Sequence, residues 1–65
     1  MHQSIQQAVY RGLVSNLHAC IDTGNPEEGS HVLHCAEEAL IANQISIQQR
    51  ADLEVDFESA FPDYQ

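Results

Sequence analysis

Asn25-Pro26-Glu27-Glu28 stands near the middle of this chain and spells a helix start. The Asn25 side-chain oxygen can accept a hydrogen bond from a free backbone N–H of the first turn. Pro26 suits the first helical position, where no donor is missed and its fixed φ already matches the helix. Glu27 and Glu28 then set negative charge against the positive end of the helix dipole. Directly upstream, Thr23-Gly24 supplies the glycine that commonly ends a helix in a left-handed conformation. These four residues and the glycine before them predict two helices divided at 24–25.

On the amino-terminal side, residues 4–23 carry a helical stripe. Tyr10, Leu13, Leu17 and Cys20 recur at three- and four-residue spacing, widened by Ile5, Val9, Val14 and Ile21. Gly12 lies beside this stripe, either where another helix comes close or as a tolerated surface glycine. On the carboxy-terminal side the spacing predicts a second helix over 26–50. Leu33, Ala36, Leu40 and Ile47 form its seam, with Val32, Ala39, Gln44 and Ala51 as shoulders. Asn43 falls near the seam, where it either fixes register or stays partly exposed. Two long helices with a short connection pack as an antiparallel hairpin.

Ile41 and Ile45 do not belong to that seam. On a continuous helix they sit about 100° around from it, given about 100° per residue. They are either scattered surface isoleucines or a second packing face, and the natural occupant of such a face is another copy of the chain. A homodimeric helical bundle is the expectation.

Segment 51–65 reads two ways. Asp52, Glu54, Asp56 and Glu58 alternate with Leu53, Val55 and Phe57, as in a strand. Leu53, Phe57, Ala60 and Phe61, extended by Tyr64, also share one helical face. A lone strand has no partner here, so a short third helix or a partly ordered acidic tail is expected. Asp52 is its candidate cap, a bend falls near 50–52, and Pro62 ends the regular structure.

With 65 residues the chain makes one domain, 1–65. So short a chain buries only about 60% of its unfolded surface, so outside support is expected. Two cysteines, Cys20 and Cys35, are too few for a disulfide framework. Met1-His2-Gln3-Ser4 lacks the basic and apolar regions of a signal peptide, and no apolar run is long enough to span a bilayer. A cytoplasmic location without membrane attachment is expected. Ten acids against two bases, Arg11 and Arg50, leave a net charge of −8. That charge argues against direct nucleic-acid binding, which needs clustered cations, and favours a basic protein partner.

The only cluster with ligand chemistry is His18, Cys20, His31, His34 and Cys35, near the predicted turn. Imidazole and thiolate suit zinc. The helical phases nevertheless set Cys20 inward and Cys35 outward, and neither CxxC nor HExxH occurs. No metal ligand, cofactor or catalytic residue is assigned, and enzymatic activity is not expected. A metal-supported structural module stays as an alternative. The candidate protein-binding residues are Ile41, Ile45, Leu53, Phe57, Phe61 and Tyr64, because aromatics are enriched at interface cores. The same aromatics can instead close the hairpin core. A further alternative is that the acidic tail imitates a nucleic-acid backbone and occupies a DNA-binding protein; otherwise it serves solubility.

The text Gln6-Gln7-Ala8-Val9-Tyr10-Arg11-Gly12-Leu13-Val14, followed by Asn16-Leu17-His18-Ala19-Cys20, resembles the small open-reading-frame products of the exo–xis region of lambdoid bacteriophages. The short length and the lack of targeting signals fit the same family. The resemblance implies an early, non-enzymatic regulatory protein of the host cytoplasm. It would act through a host or phage protein and influence the choice between lysis and lysogeny. It assigns no functional positions.

Overall fold

Gly24 and Asn43 are the described residues with left-handed backbone, and each ends a helix. The computed structural model describes residues 2–64, with side chains from residue 6. It contains α1 (His2–Thr23), α2 (Pro26–Ile41) and α3 (Ile47–Ala60), and no strand among the described residues. The chain is all-α.

The first connection forms as its residues dictate. Gly24 at φ +68° donates to the Ile21 carbonyl at 3.1 Å, and Asn25 N–H donates to that of Cys20 at 2.9 Å. This pair of bonds closes the carboxyl end of α1 on two of its orphan carbonyls. Asn25 then caps α2, its Oδ1 accepting from the Glu28 N–H at 3.2 Å.

The expected helix over 26–50 is divided. Asn43, at φ +64°, donates to the Leu40 carbonyl at 3.0 Å, and Gln44 N–H donates to that of Ala39 at 2.8 Å. The bonding repeats that of the first helix end, with asparagine in place of glycine. Asparagine tolerates this conformation better than other side chains do. Three residues on, Ser46 starts α3 with a capping box. Its Oγ accepts from the Gln49 N–H at 3.1 Å, while Gln49 Oε1 accepts from the Ser46 N–H at 2.9 Å. The bend therefore lies at 42–46 rather than 50–52. Asp52 is no cap; it lies inside α3 and accepts from Gln48 Nε2 at 3.1 Å. Asn43 terminates a helix instead of fixing register.

All three helix pairs pack against one another. The core takes Leu17 and Cys20 from α1, Val32, Ala36 and Ala39 from α2, Ile45 from the connection, and Leu53 and Phe57 from α3. Most of the α2 contribution is small, including the buried Gly29, which lets larger side chains of α1 and α3 meet over it. Leu17, Ile45 and Leu53 are fully buried, worth about 1.5–3 kcal/mol each by area. The seam expected along Leu33, Ala36, Leu40 and Ile47 is rotated: Val32 and Ala39 are buried, while Leu33 and Leu40 are only half-buried. Ile47 is 76% exposed, because it opens α3 instead of continuing α2. Gly12 is exposed with open space around it, so the close approach is at Gly29. The segment read as a short helix or tail is a full member of the core.

Candidate functional site

Six residues were expected at an interaction surface, and the fold separates them. Ile45, Leu53 and Phe57 are buried, so their apolar surface is spent on the core. Ile45 is only 1% exposed because the chain leaves helical geometry after Ile41 and turns it inward. Ile41 stays outside at 78%. The two isoleucines therefore share no face. Phe61 is half-buried, and Tyr64 is 37% exposed. The apolar surface that remains includes Ile41 and Ile47 at the corner between α2 and α3, Val55 alone on α3, and an aromatic cleft at the end of α3.

The corner lies where α2 stops and α3 starts. Ile41 is the last residue of α2 and Ile47 the first of α3. No residue from Ala39 to Gln49 is charged. Asn43, Gln44 and Gln48 supply exposed but neutral polarity beside the isoleucines. On one continuous helix Ile41 and Ile47 fall on different faces, so their spacing alone does not reveal this surface.

The cleft has a volume of about 440 Å³ and is lined by Leu33 of α2, by Glu54, Phe57 and Glu58 of α3, and by Phe61, Pro62 and Tyr64 beyond it. Phe61 caps α3, its N–H donating to the Phe57 carbonyl at 2.9 Å. Tyr64 N–H donates to the Phe61 carbonyl at 3.2 Å, so the chain turns back after Pro62. This turn brings three rings together. Phe57 and Phe61 have centroids 5.3 Å apart, and Phe57 and Tyr64 meet edge to face at 5.7 Å. These separations are those of favourable aromatic pairs.

Arg50 sits beside the cleft and ties α3 to α2. Its Nε lies 2.9 Å from Glu37 Oε1, and an Nη lies 3.5 Å from Glu54 Oε1. Glu58 forms no ion pair among the described residues. A second shallow cleft between α1 and α3, about 460 Å³, holds His18, Asp22 and Asp56, with His18 Nε2 at 3.7 Å from Asp56 Oδ2. Higher along the same side, burial raises the pKa of the Tyr10 hydroxyl, and the Asp52 and Asp56 carboxylates raise it further.

Of the His and Cys cluster, Cys20, His31 and Cys35 line one cleft with Glu28 and Val32. Both thiols are free. His34 lies elsewhere, 3.7 Å from Glu38 on its own helix, and His18 faces Asp56. Among the described residues no three side chains of His, Cys, Asp or Glu converge as a metal-binding set. No helix of the described residues is long and apolar enough to cross a membrane.

Family models, curated proteins and solved structures were compared with this chain, and none matches it. The arrangement of its own side chains is what speaks for its function.

Proposed function

We propose that this chain is a small non-enzymatic regulator that works by binding protein, and that two copies associate through the Ile41–Ile47 corner. The observation that carries the reading is the placement of these isoleucines, 78% and 76% exposed, in a charge-free stretch of a chain of net charge −8. Two copies repel each other over most of their surface. At this corner they meet without placing carboxylates face to face, while removing apolar side chains from water. Association also answers the marginal core of so short a chain.

On this reading the regulator works in the cytoplasm of a bacterial host, as the resemblance to exo–xis products of lambdoid phages implies. It there biases development between lysis and lysogeny by occupying a host or phage protein. Net negative charge favours a partner with a basic surface. Sedimentation velocity at micromolar concentration is expected to give a dimer for the native chain and a monomer for Ile41→Glu. A native monomer would remove the association. Expression in an infected host is expected to shift the proportion of lysogens, and an unchanged proportion would remove the regulatory assignment.

A further inference from the structure

The aromatic cleft at the end of α3 has a chemistry that names its occupant. We infer that it receives an arginine side chain from a basic segment of the partner protein, an inference that rests on the protein-binding reading above. Buried Phe57, half-buried Leu33 and Phe61, and exposed Tyr64 line it. Ring faces carry negative quadrupole potential and attract a cation laid over them. Glu54 and Glu58 are four residues apart on α3 and therefore project from one face a turn apart, at the rim of the same cleft.

The rim excludes the other occupants. A purely apolar ligand would strip water from two carboxylates and return no hydrogen bond to them. An anion would meet negative rings and negative carboxylates together. A cation meets both favourably. Arg50 does not fill this role, because its shortest contact is with Glu37 at 2.9 Å and it reaches Glu54 only at 3.5 Å. Glu58 is left free among the described residues to accept from an incoming guanidinium.

Arginine fits better than lysine. The guanidinium is planar, stacks on aromatic faces, is weakly hydrated, and pairs with a carboxylate through two parallel hydrogen bonds. At about 440 Å³ the cleft takes a side chain and its neighbours, not a folded domain. The net charge of −8 draws a basic segment in and adds to its rate of arrival.

The test uses the full chain, isotope-labelled, and a short acetylated peptide of alanine, glycine and arginine. Its twin carries citrulline, which keeps the shape and loses the charge. Saturable shifts confined to the Phe57, Phe61 and Tyr64 rings and the Glu58 carboxyl are expected. The citrulline twin is expected to bind about tenfold more weakly, for loss of both cation–π and charge-assisted contacts. Glu58→Gln and Tyr64→Ala, both at exposed positions, should weaken binding several-fold, whereas Glu38→Gln, toward the carboxyl end of α2 and outside the cleft, should not. Equal binding of the two peptides overturns the inference. So does an effect of Glu38→Gln as large as that of Glu58→Gln, which marks attraction to bulk charge alone.

The two readings fail separately. A captured host protein retained in full by Glu58→Gln and Tyr64→Ala removes the cleft and leaves protein binding standing. Selective binding of the arginine peptide by a chain that captures no protein upholds the cleft and removes the wider function.

Discussion

Gly29 of α2 faces the ring of Phe57 of α3, and a Cβ built on the glycine would stand 2.9 Å from Phe57 Cε1. The contact explains why a glycine sits within a helix, where it costs up to about 1 kcal/mol relative to alanine. Gly29→Ala recovers that backbone term but drives a methyl group into a ring packed between helices. Phe57 cannot yield by rotating a flexible end, so overpacking at about 1–3 kcal/mol wins. Gly12 offers the reverse case, with nothing within 4 Å of its added Cβ. Urea denaturation should show Gly29→Ala less stable and Gly12→Ala more stable by up to about 1 kcal/mol. A stabilised Gly29→Ala chain would contradict the packing described.

The two helix ends predict an asymmetry of their own. Asn43 occupies left-handed backbone at φ +64°, so Asn43→Gly should keep or raise stability while Asn43→Val lowers it by about 1–2 kcal/mol. Ser46→Ala removes the side chain that accepts from Gln49 N–H and should lower stability by about 0.5–2 kcal/mol. Thermal melts of the three variants decide this. Equal melting of Asn43→Gly and Asn43→Val would mean that the break between α2 and α3 does not depend on this backbone state.

Those same residues show why one connection was legible in the sequence and the other was not. The first is written in glycine and proline, whose backbone demands are local and unmistakable. The second is written in Asn43, Ser46 and Gln49, residues that also occur on ordinary helix surfaces. Leu40 and Ile47 are seven apart, so the apolar rhythm runs across the break as if the helix continued. The Ser-x-x-Gln of the capping box was the available signal. The all-α class and the helical face of Leu53 and Phe57 were readable from spacing. The inward turn of Ile45 was not, because it follows from Asn43. With that turn unread, the exposed corner of Ile41 and Ile47 stayed hidden too.

Tyr10 adds a dependence on alkaline pH to the stability of the fold. Burial first, and the Asp52 and Asp56 carboxylates second, hold its hydroxyl pKa above the ordinary 10.0 in the folded chain. The folded state thus keeps a proton that the unfolded state releases. Stability from this group is complete below pH 10.0 and falls as pH climbs from there through the raised value. Tyr10→Phe removes the titrating hydroxyl, and its stability should decline less steeply above that point. Denaturation midpoints across the alkaline range test this. Parallel curves for the two proteins would remove Tyr10 as the cause.

Ile41 and Ile45 are four residues apart and should respond to substitution in opposite ways. Ile45 is fully buried among core side chains, so Ile45→Ala leaves a cavity and should cost about 2–5 kcal/mol. Ile41 is 78% exposed, so Ile41→Ala should change monomer stability by no more than about 0.5 kcal/mol. Association is expected to sort them the other way. Ile41→Glu places a carboxylate at the neutral corner, where a second acidic copy would have to cover it, and dimer should be lost with the fold intact. Ile45→Ala should unfold at lower denaturant, yet the part that remains folded should still pair. Denaturation measured at several protein concentrations separates the two effects, because a dimer's midpoint rises with concentration and a monomer's does not. If Ile41→Glu retains the concentration dependence of the native chain, the corner is not where the copies meet.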